Sequence, residues 1–107
     1  MKAKPNVGQI LMAKHLAELG LEFVMEYRFD EKRKWRFDFL LCDQPEVFTS
    51  LAIEIDGYFN GRHGAGWGSD NEKANTAALM GYRVLRFSTQ DVKTGKAKAF
   101  LQECLAK

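Results

Sequence analysis

WRFDFLL, at residues 35–41, and LAIEID, at residues 51–56, each predict a β-strand, and both runs carry carboxylates. Strand side chains alternate between the two faces of a sheet, so Glu54 and Asp56 share one face while the isoleucines of that run take the other. Asp38 can lie beside them from the neighbouring strand. Carboxylates at the rim of an apolar sheet are costly to desolvate, and water, a cationic side chain or a metal ion would offset that cost.

Length and composition predict a single domain over residues 1–107, with one hydrophobic core. The net charge of +2 is too small to indicate a nucleic-acid partner by itself. Neither a signal-peptide pattern nor an apolar stretch of membrane-spanning length occurs, which predicts a cytoplasmic protein. Cys42 and Cys104 are too few for a disulfide framework or a structural zinc site, and we expect both to be free thiols.

Apolar periodicity and turn residues predict an α/β fold in the order α-β-β-β-α-β-α, with a four-stranded sheet flanked by helices. The third strand has a nearly continuous apolar character, which is typical of a central position. Ser69 followed by Glu72 predicts a capping box at the start of the second helix. The predicted elements are helix 7–19, strands 23–29, 34–41 and 51–56, helix 70–80, strand 82–87 and helix 96–105.

Several short motifs follow one another in an order that resembles a known family. They are Asp38, Glu54-x-Asp56-Gly57, Gly61-Arg62-His63, Asp70-x-Glu72-Lys73-x-Asn75 and GYRVLRF at 81–87. From about Glu26 to Val92 the chain resembles the PD-(D/E)XK nuclease superfamily, in particular the small nucleases similar to very-short-patch-repair endonucleases. This resemblance implies a restriction-endonuclease-like core with a mixed sheet, and Mg²⁺-dependent hydrolysis of DNA phosphodiester bonds.

Two positions depart from the superfamily pattern. The lysine that gives the superfamily its name should stand two residues after Glu54, where this chain has an aspartate. Lys73, at the start of the second predicted helix, is the natural substitute, because the helix N-terminus can point back toward the strand ends. The first helix of the family often supplies an early glutamate; this chain has Gln9 there, and Glu18 and Glu26 are the alternative acids.

The resemblance implies a chemical role for each candidate. Asp38 and Glu54 would be direct ligands of Mg²⁺, for which Mn²⁺ could substitute, because oxygen ligands and water suit these hard ions. Asp56 would complete that shell or hold a second ion. His63 would transfer a proton, since its reference pKa lies near neutrality, and Lys73 would stabilise phosphoryl charge or orient the attacking water. Glu18 completes the set of catalytic candidates.

DNA is the expected partner, and four residues are candidates for binding it. Arg62 would clamp a phosphate through its planar donor fork, while Lys34 and Arg36 form part of a basic cluster at the predicted hairpin tip. Trp67 could stack on a base or pack under its own loop. Cutting both strands would most easily require a homodimer, because so small a chain offers one site.

The sequence leaves two other hypotheses about the function open. The first is a noncatalytic nucleic-acid-binding module that keeps the fold, with the displaced lysine marking lost activity. The second is a purely structural metal site, which predicts metal-dependent melting without DNA binding. The sequence also leaves RNA open as a substrate. Cleavage in the presence of Mg²⁺ or Mn²⁺ would separate the enzyme from both alternatives.

Overall fold

A computed structural model describes residues 6–42, 50–56 and 67–106 of the chain. The described elements follow the predicted order, with one short helix, α3, added after the last strand. Their bounds are α1 Val7–Glu18, β1 Glu22–Asp30, β2 Trp35–Cys42, β3 Leu51–Asp56, α2 Trp67–Leu79, β4 Arg83–Ser88, α3 Thr89–Lys93 and α4 Lys96–Leu105.

The four strands of the described chain form one mixed sheet in the order β1-β2-β3-β4. β1 pairs with β2 and β2 with β3 in antiparallel fashion, whereas β3 and β4 run parallel. A parallel pair requires a crossover, and α2 lies in the connection between these two strands. The prediction that β3 is central is confirmed, and its residues Leu51, Ala52 and Ile53 are at most 4% exposed.

Apolar side chains pack on both faces of this sheet. On one face Ile53 and Ile55 join residues of α1, α3 and α4 in the larger core cluster. On the other face Ala52 joins a smaller cluster that includes Ala77 of α2. The alternation along β3 predicted from its sequence is therefore present, and Glu54 follows Ala52 on the α2 side.

The β1–β2 hairpin changes face at one point, between the register pairs Met25–Phe39 and Tyr27–Phe37, which flank Glu26 and Asp38. Phe39 belongs to the cluster with α1, whereas Phe37, two residues earlier, belongs to the cluster with α2. Regular alternation would keep both rings on the same face. Glu26 has a φ of 56°, which is uncommon for a residue other than glycine and rotates the strand locally. Asp38 thus sits where β2 passes from one core to the other.

Helix α2 begins at Trp67, so Ser69 lies inside the helix and the predicted capping box at Ser69 and Glu72 is wrong. A serine three residues before a glutamate occurs within helices as well as at their starts, and the local pattern cannot separate the two cases. The described capping boxes open α1 and α3; they are formed by Asn6 with Gln9 and by Ser88 with Asp91.

Two simpler predictions concern the cysteines and the membrane. Neither Cys42 nor Cys104 forms a disulfide among the described residues, which agrees with the prediction from the sequence. Within the ranges that the structure describes, no helix combines the length and the apolar character needed to cross a bilayer.

Candidate active site

Asp38 is held by donors from two different elements. The Nε2 amide of Gln9, on α1, donates to its Oδ1 over 2.8 Å, and the backbone N–H of Ile55, on β3, donates to its Oδ2 over 2.7 Å. The change of face in β2 turns the side chain toward α1 and allows both bonds. Hydrogen bonds to an ionised carboxylate are about twice as strong as neutral ones, so this side chain is fixed in place.

Glu54 lies next to Asp38 on the adjacent strand. Its Oε2 accepts the backbone N–H of Asp38 at 3.3 Å, and only 16% of its side chain is exposed. Burial raises the pKa of the Glu54 carboxyl, Lys73 opposes this shift, and the charge of Asp38 adds to it. The Glu54 carboxylate thus lies beside the backbone of Asp38 at the end of the β2–β3 ladder, near enough for the charge of Asp38 to raise its pKa.

Lys73 supplies positive charge next to Glu54 from α2. Its Nζ lies 3.1 Å from Oε1 and 3.2 Å from Oε2 of Glu54. Ala77, one helical turn later on the same face of α2, is 1% exposed and packs in the smaller core cluster. That packing fixes the helix against the sheet, so the lysine predicted to replace the missing one does reach the acidic pair.

Asp56 ends β3 beyond this pair. It is exposed and lies opposite Ser88 in the parallel ladder, as Glu54 lies opposite Arg86. Among the residues described here, no three or more His, Cys, Asp or Glu side chains converge in an arrangement that could hold a metal ion. Ligand roles for Asp38, Glu54 and Asp56 therefore stay predictions.

Comparison with protein-family models and with curated proteins gives no match. A solved structure, the catalytic domain of the homing endonuclease I-Bth0305I, superimposes with a TM-score of 0.70 at 20% sequence identity. The alignment covers 95% of this chain and 96% of that chain. The chain has a nuclease-like fold. At this level of identity the likeness concerns the fold, and the site has to be argued from its own residues.

Gln9 binds Asp38, whereas the sequence pattern singled Gln9 out only as a departure from the family. It is 9% exposed, and both ends of its amide are used, since Oε1 accepts the N–H of Asn6 while Nε2 donates to Asp38. One side chain therefore fixes the start of α1 and one carboxylate of the acidic pair. The signal that could have found it is the Asn6-x-x-Gln9 capping pattern.

Gly8 allows α1 to approach the end of β3 closely. A Cβ at this position would lie 2.8 Å from Cγ2 of Ile55 and 2.9 Å from Oγ1 of Thr89. Ile55 is the residue whose N–H binds Asp38, so the glycine brings the helix start, the strand end and the carboxylate together. Nothing in the sequence alone indicated this contact.

Of the two alternative acids, Glu18 lies away from Asp38 and Glu54, whereas Glu26 lies near Asp38 in the β1–β2 ladder. Glu18 accepts a hydrogen bond from Lys98 of α4 at 2.8 Å, and it lies nine residues after Gln9, about 13.5 Å further along α1. Glu26 lies 3.7 Å from the guanidinium of Arg36, which ties this predicted DNA-binding arginine to the hairpin itself. Glu18 is therefore a surface partner of α4.

The remaining candidates are at the edge of the described chain or beyond it. Lys34 is exposed in the hairpin turn, with a φ of 60°. Trp67 is the first residue of α2, and its side chain lies outside the described part. Arg62 and His63 also lie outside the described residues. Their predicted roles stay predictions.

Proposed function

We propose that this chain is a metal-dependent endonuclease that hydrolyses DNA phosphodiester bonds, with Mg²⁺ as its ion and Mn²⁺ as a substitute. The observation that carries the proposal is the grouping of Asp38, Glu54 and Lys73 within a nuclease-like fold. The motif order that resembles the PD-(D/E)XK superfamily supports it, because Asp38 and Glu54 match the acids of that pattern and Lys73 is the candidate for its displaced lysine. The homing endonuclease domain that shares the fold supports it further.

The donor set suits Mg²⁺. This ion is usually held by one or two carboxylates, with water and substrate phosphate oxygens completing its shell. Each carboxylate offers about four lone-pair sites, so the hydrogen bonds that Asp38 and Glu54 accept leave sites for a cation. The raised pKa of Glu54 beside Asp38 is the electrostatic condition that a dication would relieve. Asp38 and Glu54 would hold the ion, and Asp56 is the candidate for a second position.

The chemistry divides among the residues of the chain. When bound, the dication supplies charge neutralisation at the phosphoryl oxygens and activation of water. Gln9 keeps Asp38 in one orientation through its 2.8 Å hydrogen bond. Lys73 donates to a phosphoryl oxygen or orients the attacking water from its place over Glu54. His63 would transfer a proton and Arg62 would hold a neighbouring phosphate, which are the roles that the family pattern gives them.

A cleavage assay tests the proposal. Plasmid, linear and branched DNA are incubated with the chain in Mg²⁺, in Mn²⁺ and in a chelator, and the same assay is run on Asp38→Asn and Glu54→Gln. We expect metal-dependent cleavage that falls at least about 100-fold in both variants, since each loses a ligand charge while keeping its shape. Glu18→Gln is the matched control, because that carboxylate pairs with Lys98 away from the site. Cleavage that persists in the two site variants would contradict the assignment.

A noncatalytic DNA-binding module is the second candidate. The observation that favours it is the ion pair itself, since Lys73 lies within 3.2 Å of both oxygens of Glu54 and could replace a dication there. In that case DNA binds without turnover in either metal. The homodimer needed to cut both strands is tested in the same samples by sedimentation with and without DNA.

A further inference from the structure

A cleft of about 180 Å³ opens beside the acidic pair, between α2 and the sheet. Its walls combine an apolar part with a charged part. The apolar residues that line it are Phe37, Ala74, Ala77 and Val84, and the charged ones are Glu54, Lys73 and Arg86. Ligand pockets for drug-sized molecules usually measure about 300–1,000 Å³, so this cleft suits a group the size of one ring system.

The apolar wall is rigid. The ring of Phe37 stacks on Phe29 with centroids 4.1 Å apart and an angle of 6° between the planes, and Tyr82 meets it edge-on at 5.1 Å. Phe37 and Ala77 are each 1% exposed. A ligand entering the cleft would therefore meet a preformed apolar wall that Phe37 supports from beneath, and little ordering of that wall would be needed.

The charged part of the lining favours an anionic ligand. Lys73 already neutralises Glu54, whereas Arg86 is exposed and forms no ion pair with the side chains that are described at 6–42, 50–56 and 71–106. Arg86 lies opposite Glu54 in the parallel β3–β4 ladder, so it is next to Glu54 on the adjacent strand. A planar guanidinium is well suited to a phosphate group.

We propose that this cleft binds the nucleobase of a nucleotide next to the cleaved phosphate, with Arg86 on the phosphate of that nucleotide. Nucleic-acid enzymes that take a base out of the stack hold it among aromatic and apolar side chains, and here Ala74 and Val84 line the cleft above the buried ring of Phe37. The proposal rests on the proposed function for its substrate, since a chain that cuts DNA brings a nucleotide to Glu54 and Lys73. It adds a base-binding site to that function.

Nucleotide titration of the intact chain gives the first test. The methyl signals of Ala74, Ala77 and Val84 are followed by NMR while dAMP or dCMP is added, with deoxyribose 5-phosphate and inorganic phosphate as matched ligands without a base. We expect the mononucleotides to shift these methyl signals and to saturate, and the ligands without a base to shift them by less than a third as much. Equal shifts from deoxyribose 5-phosphate, or no shifts from any ligand, would overturn the proposal.

A pair of exposed alanines on α2 gives the second test. Ala74 lines the cleft, whereas Ala78 belongs to the same helix and does not line it. We expect Ala74→Phe to weaken dAMP binding at least tenfold and to raise KM for DNA, and Ala78→Phe to match the unmodified chain in both. A thermal melt of each variant checks that both are folded.

The two proposals fail in different ways. If the unmodified chain cleaves DNA and Ala74→Phe keeps the same KM and dAMP affinity, the base site is overturned and the nuclease stands. If the unmodified chain cleaves no DNA but binds dAMP in a manner that Ala74→Phe abolishes, the nuclease assignment fails and the nucleotide site stands.

Discussion

Replacing Gln9 by glutamate is the sharpest perturbation of the acidic pair. The Nε2 atom of Gln9 lies 2.8 Å from Oδ1 of Asp38, so Gln9→Glu exchanges an N–H donor for a carboxylate oxygen facing another carboxylate. The side chains have nearly the same shape, and the main change is one negative charge. We expect the variant to lose stability as the pH rises and to regain it when Mg²⁺ is added.

The size of the stability loss in Gln9→Glu follows from the distance between the introduced carboxylate and Asp38. Two unit charges about 4 Å apart repel by about 4 kcal/mol at an effective dielectric constant of about 20. The introduced carboxyl can avoid this by staying protonated, which costs about 3.7 kcal/mol at pH 7 and about 1 kcal/mol at pH 5, at about 1.36 kcal/mol for each pH unit above its reference pKa of about 4.3. Protonation therefore caps the loss, and the loss should be about 2.7 kcal/mol smaller at pH 5 than at pH 7.

The direction in which the stability of Gln9→Glu changes with pH follows from proton linkage. The introduced carboxyl has a higher pKa in the folded chain than in the unfolded one, so the folded state binds more protons and stability falls as the pH rises above about 4.3. Urea unfolding at pH 5, 6 and 7 measures this, with and without Mg²⁺. Gln9→Ala is the control, because it loses the hydrogen bond to Asp38, together with the bond from the Asn6 N–H, without adding charge. A loss that does not change with pH, or that matches Gln9→Ala throughout, would refute the reasoning.

Three further substitutions test Gly8, Lys73 and Glu18, and Gly20→Ala serves as a control for the first of them. Gly8→Ala places a Cβ 2.8 Å from a β3 side-chain carbon, so it should lower the free energy of unfolding in urea by about 1–3 kcal/mol and should lower cleavage. Gly20→Ala has open space around the new Cβ but a φ of 77°, so it should lower the free energy of unfolding by about 1–2 kcal/mol and leave cleavage intact. Lys73→Met removes a cation that lowers the pKa of Glu54, so the acid limb of the residual pH–rate profile should move to higher pH; an unmoved limb contradicts the pairing. Glu18→Gln should leave kcat and KM unchanged, and a large loss in either would return it to the site.

Local pattern was enough for most of the fold. The nearly continuous apolar character of residues 51–56 correctly predicted a central strand, and alternation correctly placed Ile53 and Ile55 on one face, because the two-residue period of a strand is a property of the backbone. The final helix was predicted with its observed bounds of Lys96–Leu105, since its apolar spacing is a local signal. The short helix α3 was missed because five residues carry too little periodicity.

The residues of the candidate site also fall into those that the sequence predicted and those that only the structure identified. The sequence selected Asp38, Glu54 and Lys73 from residue type and order, and the structure brings these three together. It did not select Gln9 as the partner of Asp38, because that hydrogen bond joins residues 29 positions apart and depends on how α1 packs at the end of β3. It also left Glu18 open, and only the contact with Lys98 shows where that acid goes.

The sequence by itself determined the order of the longer elements, the two faces of β3 and the acids that stand at the strand ends, since spacing along the chain decides all three. The tertiary structure alone decided which way Asp38 points. Regular alternation would have turned it toward α2, but the positive φ of Glu26 rotates the hairpin between two cores and turns the carboxylate to Gln9. A backbone angle set by packing on both faces of a sheet leaves no trace in the local pattern.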